Sequence, residues 1–224
     1  MFVAGLPAAS TGTNCWVLAP AAGAQCVVVD PGIGIVPGLR DLLREHRLQP
    51  AAVVLTHGHL DHTFSVRPVC GSELPAYVGP GDDWMIADPW AGLSPEFREM
   101  AWAQGLEWQE PDDVRPLHDG ATVELAGVPL TVAHAPGHTP GSVLLSTATE
   151  QGEPLTLSGD VLFKGAVGRT DLPGGSWGQM VASLRDRVLP LPDETVVLPG
   201  HGETTTIGAE RATNPYLREI LLAG

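Results

Sequence analysis

Short apolar runs, set apart by turns rich in glycine and proline, dominate the chain. Runs at residues 14–18, 26–29, 52–55, 122–125, 130–133, 143–145, 155–157 and 196–198 read as strands. The opening "MFVAGLPAAS" is strand-like as well. Helical spacing lies between some of these runs. Residues 38–47 carry Leu39, Leu42 and Leu43 on one face. Residues 95–108 and 179–188 look similar, and a last helical stretch runs from about 206 to the end. Strands mixed with early, middle and late helices predict an α/β (α+β) class, with two sheets or one large sheet covered by helices. At 224 residues the chain is read as one domain, 1–224, long enough for a sizeable core.

Charge and composition narrow the possibilities. A net charge of −14 argues against nucleic acid, which calls for a basic face. No apolar stretch reaches membrane-spanning length, so no membrane partner is expected. The first residues lack a basic n-region, so the expectation is a cytoplasmic protein without a signal peptide. Oligomeric state stays open. Three cysteines with no C-x-x-C argue against a disulfide framework or a zinc ribbon. Cys15 and Cys26 flank "APAAG" and either face each other across a hairpin or pack as small buried hydrophobes.

One stretch departs from this ordinary background. In "VVLTHGHLDHT" three histidines and an aspartate fall between His57 and His62, directly behind an apolar run. Alternate side chains of extended backbone point the same way, so His57 and His59 reach one point and Gly58 leaves room between them. Asp61 and His62 follow where a helix can start, a place that suits an aspartate, and turn to a second point nearby. One segment with four ligand-type side chains supplies more than a single tetrahedral metal needs from it. Matching residues close other strands: His134 and His138 in "VAHAPGHTPGS", Asp160 in "LTLSGDVLF", His201 in "VVLPGHGETT". The assignment puts His57, His59 and His138 on one metal and Asp61, His62 and His201 on another, with Asp160 between them. Imidazole and carboxylate suit Zn, Fe and Mn alike, and a carboxylate can bridge two metals. His46, His118 and His134 read as surface or capping residues. His46 ends an amphipathic helix, where a cation complements the dipole.

The ordered set of "THGHLDH", His138, Asp160 and His201 resembles the metal motifs of the metallo-β-lactamase superfamily, over nearly the whole chain. The resemblance implies a four-layer αββα sandwich with metals at one edge, between two sheets. Lactamases commonly carry cysteine or serine where Asp160 stands; the aspartate resembles the hydrolase branch that includes glyoxalase II. "SGDVLFKGAVGRTDLPGGS" and "LPGHGETTTIGAE" are similar to short bacterial glyoxalase II-like proteins, and "VVVDPG" to their early strand and turn. Asp30 in that turn either orients a ligand histidine from behind or belongs to an ordinary Asp-Pro-Gly turn.

The implied activity is hydrolysis of a small-molecule thioester, of the hydroxyacyl-thiol kind, by attack of a metal-bridging hydroxide. Two divalent metals, Zn and/or Fe, with Mn also fitting, serve as cofactors, and Asp61 is catalytic as well as a ligand. Arg169 falls where that family places a basic residue for the glutathione moiety. Lys164, the only lysine, is a second candidate for meeting an anionic substrate. Asp171 and Glu203 stand where tyrosines that touch the thiol carrier are common. Only 23 residues follow His201, so a short helical end is expected in place of the glyoxalase II helical domain. The rival activity on the same fold is a mononuclear iron persulfide dioxygenase, which would use His57, His138 and Asp160. Trp84, Trp90, Trp102 and Trp108, with Phe97 and Met100, pack two helices, line a substrate wall or form a subunit contact.

Overall fold

The computed structural model describes residues 1–223. Six strands form the first sheet, in the order β1 (Phe2–Pro7), β2 (Asn14–Ala19), β3 (Gln25–Val29), β4 (Gln49–Val54), β5 (Ala76–Val78) and β6 (Val114–Pro116). β1 to β3 are antiparallel; β3 to β6 run parallel. The second sheet is ordered β14 (Thr205–Thr206), β13 (Val196–Pro199), β10 (Pro154–Gly159), β9 (Val143–Ala148), β8 (Val128–His134) and β7 (Thr122–Leu125). A two-stranded ribbon, β11 (Leu162–Phe163) and β12 (Ala166–Val167), stands apart. The helices are α1 (Val36–His46), α2 (Leu60–Thr63), α3 (Val66–Cys70), α4 (Asp83–Ala87), α5 (Pro95–Ala103), α6 (Trp177–Ser183), α7 (Ile207–Thr213) and α8 (Pro215–Ala223). None of them is long and apolar enough to cross a membrane.

Side-chain alternation sorts the apolar runs into layers. Along β2 and β3, Cys15, Val17, Cys26 and Val28 face an outer gap with Leu39 of α1 and Val66 of α3. Trp16, Leu18, Val27 and Val29 face the other way, onto Leu130, Val132, Leu145 and Leu157 of the second sheet. That sheet's far face, with Leu144 and Val197, packs on Met180, Ile207 and Leu217 from α6, α7 and α8. Three apolar gaps separate four layers, and the architecture is the αββα sandwich of the metallo-β-lactamase fold. A strand buried on both faces needs apolar residues at every position, which is why its sequence is a run and not an alternation.

The expected runs all become strand, with boundaries within three residues. The pattern missed β5, β6, β11, β12 and β14, which are short, and the short helices α3 and α4; α2 falls where Asp61 and His62 suggested a helix start. The helix expected over 95–108 stops at Ala103. Gly105 there takes φ +68, and the amide N–H groups of Gly105 and Leu106 donate back to Trp102 and Ala101, a Schellman turn. Cys15 and Cys26 do not face each other. The β2–β3 register opposes Trp16 to Val29 and Leu18 to Val27, which leaves the cysteines near opposite ends of the hairpin. Both are free thiols packed as buried hydrophobes. Burial pushes the Cys26 thiol up to about 12 and that of Cys15 higher still.

Leu145 is fully buried between the sheets. Leu145→Ala is expected to lower unfolding free energy by about 2–5 kcal/mol, from lost transfer energy plus a residual cavity. Denaturant titration of the metal-free protein measures it; a loss below about 1 kcal/mol would mean that this gap is loosely packed.

Candidate metal centre

Four segments leave strands at one edge of the two sheets and bring their polar residues together. β4 runs into residues 55–63, β8 into 135–142, β10 ends at Gly159 and β13 at Pro199. His57, His59, His62, His138 and Asp160 are buried, and Asp61 and His201 are half-buried. Nδ1 of His59 lies 2.8 Å from Nε2 of His138, which lies 3.2 Å from Nε2 of His57. Nε2 of His62 lies 3.2 Å from Nε2 of His201, and a carboxylate oxygen of Asp61 sits 3.2 Å from His201 and 3.5 Å from His62. Asp160 stands between the groups. One oxygen is 3.4 Å from His62, and the other is 3.5 Å from His138 and 3.6 Å from His201.

These distances fit metal ligands. Donors around a tetrahedral ion with bonds of about 2.0–2.1 Å stand about 3.4 Å apart. His57, His59 and His138 form one such cluster, Asp61, His62 and His201 another, and His57, His62 and Asp160 a third that spans the two. Oδ1 of Asp160 is buried with no hydrogen-bond donor, an acceptor that a cation would satisfy. The cluster is compatible with a dinuclear metal site.

The hydrogen bonds behind the rings fix which nitrogen faces inward. Nδ1 of His138 donates to the Arg169 carbonyl at 2.7 Å, so its Nε2 carries a lone pair. Nδ1 of His62 donates to Asp30 at 3.0 Å. The Thr56 hydroxyl donates to the same carboxylate at 2.6 Å, and so is left to accept from Nδ1 of His57 at 3.1 Å. Asp30 therefore orients one imidazole directly and a second through Thr56. It is not merely a turn residue, although its φ of +51 is one that few residues other than glycine adopt. The Asp30 carboxylate also accepts the Thr56 amide at 2.8 Å.

Electrostatics follow from burial and crowding. Burial first, then the neighbouring imidazoles, hold His57 far below the usual histidine range. The same causes push His59 down to about 3. Burial opposes charge on His62, but Asp61, Asp160 and Asp30 outweigh it and raise that ring well above the usual range. Burial likewise opposes ionisation of Asp61 and Asp160, and His62 and His201 pull both carboxyls down.

Two supports had no sequence signal. Asp82, fully buried just before α4, accepts the Gly58 amide at 2.8 Å, the Gly141 amide at 2.6 Å and the Thr139 hydroxyl at 2.7 Å. It ties the turn that carries His57 and His59 to the turn that carries His138. At the other end, Nδ2 of Asn14 donates to the carbonyls of Pro199 and Gly202, and the Asn14 amide donates to Gly200, which clamps the His201 turn. The Thr13 hydroxyl donates to Asp61 at 2.9 Å. Gly200 has no space for a side chain, because a Cβ there would collide with Asp160 and approach His62.

The other candidates scatter. His134 lies outside the cluster, with its Nε2 2.7 Å from the Pro140 carbonyl. His46 closes α1, and His118 is exposed. A cavity of about 440 Å³ opens on the cluster; Arg169 lines it and Lys164 does not. The Arg169 guanidinium makes two hydrogen bonds to Asp171, at 2.7 and 2.8 Å, and Lys164 pairs with Glu203. Phe97 and Met100 line the cavity. The four tryptophans do not: Trp84 and Trp102 are exposed, Trp90 lies beside Trp102, and Trp108 packs on the outer core.

A model of the metallo-beta-lactamase superfamily matches residues 10–201. The chain belongs to that superfamily. A hydroxyacylglutathione hydrolase, GloC, from Haemophilus influenzae is 34% identical and aligns with 86% of this chain and 87% of its own. The crystal structure of TTHA1623 in a di-iron-bound form superposes with a TM-score of 0.78 at 36% identity, covering 97% of this chain and 100% of that one. BLEG-1, a B3 metallo-beta-lactamase, superposes with a TM-score of 0.79 at 32% identity, over 96% and 99% of the two chains. Membership places this chain among metal-dependent hydrolases.

Asp160→Ala is expected to strip metal from both ligand groups, and His134→Ala to leave it; elemental analysis after dialysis reads both. Equal losses would show that the ligand set is different. Asp82→Ala leaves two buried amides without an acceptor, at about 1–3 kcal/mol each. It should bring metal content towards one per chain while Asp61, His62 and His201 keep theirs; an unchanged count of two would remove Asp82 from the support of the first group.

Proposed function

We propose that the chain hydrolyses thioesters, with His57, His59 and His138 holding one divalent metal, Asp61, His62 and His201 a second, and Asp160 between them. The observation that carries this reading is the Asp160 carboxylate, which approaches both ligand groups: one oxygen lies 3.4 Å from His62, and the other lies 3.5 Å from His138 and 3.6 Å from His201. The likeness to GloC supports a thioester substrate, since that relative is a hydroxyacylglutathione hydrolase. Zn and Fe both suit the donor set, and the di-iron form of TTHA1623 supports iron.

When bound, paired metals would supply Lewis acidity and lower the pKa of a bound water to about 7. The chain's own residues do the rest. Asp61 is half-buried, lines the cavity and is anchored by Thr13, so its carboxylate can hold the proton of an attacking water. Asp30 and the Arg169 carbonyl keep imidazole protons on the outward nitrogens, leaving the inward lone pairs for metal. In the reaction a C–O bond forms, the C–S bond breaks, and the thiolate leaves with the electron pair. A thiolate is a good leaving group, so no general acid is required beside the sulfur. No serine or cysteine nucleophile is needed either: the three cysteines are buried.

The purified protein should hold close to two metals per chain, release thiol from an acyl thioester, and lose that activity on chelation. Elemental analysis, a thiol-release assay and an oxygen electrode form one test. One iron per chain with oxygen uptake on a persulfide would replace this reading with the dioxygenase, and turnover confined to β-lactams would replace it with a lactamase.

A further inference from the structure

We infer that the cavity beside the ligand cluster selects an uncharged, apolar chain attached to the reacting carbonyl group, and that a multiply charged peptide thiol is a poor carrier for it. The inference rests on the thioester reading above and goes beyond it to substrate class.

Size and lining point the same way. About 440 Å³ falls within the range of small-molecule sites, and it is more than a two- or three-carbon acyl group fills. One side of the cavity is the ligand cluster. The other is mostly apolar, with Ser10, Thr11 and Gln104 as its uncharged polar members, and comes from distant segments: Ile33 after β3, Leu93, Phe97, Met100 and Leu106 from α5 and its flanks, and Leu172 after β12. Ser94 starts α5 by accepting the Phe97 amide, and the Schellman turn at Gly105 folds Leu106 back to the same wall. Phe97 and Met100 are 44% and 51% exposed, an unusual amount of large apolar surface to leave beside a polar site.

Charge supplies the complementary argument. Among the described residues Arg169 is the one lysine or arginine on the cavity wall, and its guanidinium is already paired with Asp171 through two hydrogen bonds. Lys164 is paired with Glu203 outside the cavity. Arg211 donates to the carbonyls of Leu189 and Leu191 and pairs with Asp193. A carrier with two carboxylates would meet no free cation at this wall, on a chain of net charge −14. An apolar chain loses nothing to that field and gains about fourfold in binding for each methylene removed from water.

The test uses the full chain loaded with zinc, and two homologous series. In one the acyl group of an N-acetylcysteamine thioester grows from acetyl to octanoyl. In the other an acetyl group is carried by alkyl thiols of the same lengths. S-Lactoylglutathione is the charged comparison. kcat/KM should climb about two- to fourfold per methylene along at least one series and exceed that for S-lactoylglutathione. The series that climbs tells whether the chain belongs to the acyl or the thiol half. Phe97→Asp should lower kcat/KM for the long member at least tenfold more than for the acetyl member. Flat series, or S-lactoylglutathione as the best substrate, would overturn the inference and leave the thioesterase reading standing. No hydrolysis of any thioester would overturn that reading instead. Calorimetric binding of acetate to octanoate would then decide the cavity by itself: affinity rising with length and blunted in Phe97→Asp upholds an apolar site, and constant affinity overturns it.

Discussion

Lone pairs aimed at one another at 2.8–3.2 Å repel unless a cation or a proton lies between them, and the rest of this molecule is arranged around that constraint. The rings cannot relax by turning away. Asp30, Thr56 and the Arg169 carbonyl hold His62, His57 and His138 from behind, and those partners are themselves on or beside sheet strands. Burial makes the restraint effective, since water that could satisfy a misplaced nitrogen is kept out. A metal entering this cluster would therefore meet donors already in position, and little reorganisation would oppose its binding.

The positions of those ligands depend on sheet packing. His57, His59 and His62 come from the first sheet; His138, Asp160 and His201 come from the second. Leu18, Val27 and Val29 against Leu130, Leu145 and Leu157 set the distance between the sheets, and so the distance between the two halves of the site. Polar fasteners then hold the edge itself. Asp82 spans the His57 and His138 turns, and Asn14 at the start of β2 clamps the turn of His201. Core packing and polar fasteners thus act at different scales: the first fixes the layers and the second the final tenths of an ångström.

The surroundings of the site are set by other elements. α7 and α8 cover the outer face of the second sheet, where Ile207 and Leu217 join Met180 and Leu184. Among the described residues none beyond His201 lines the cavity. Much of the apolar cavity wall comes instead from α5 and its flanks, an insertion between β5 and β6 that neither sheet needs for its pairing. Ligand geometry and substrate contacts are therefore separable in this fold. Ligands come from strand ends and the apolar wall from a helix that can vary without disturbing them.

Much of this was legible in the chain. Apolar runs of strand length marked the central strands, because residues buried on both faces must be apolar whatever their partners. The histidines and aspartates stood out because metal ligands have to be of a few types at short spacing, and His57 to His62 compress that spacing into one turn. Tertiary structure decided the rest. Period-two alternation assigns Leu18 and Val17 to opposite faces but cannot say which face meets the second sheet. Two- and three-residue strands such as β5 and β11 carry too few positions to show a period, and their pairing comes from neighbours distant in sequence. Asp82 looks like any aspartate in a glycine-rich turn until Gly58 and Gly141 approach it. Arg169 has a free guanidinium in the sequence and a committed one beside Asp171 in the fold. Local chemistry is written in the identity and spacing of residues; burial, partners and orientation arise only when the two sheets close on each other.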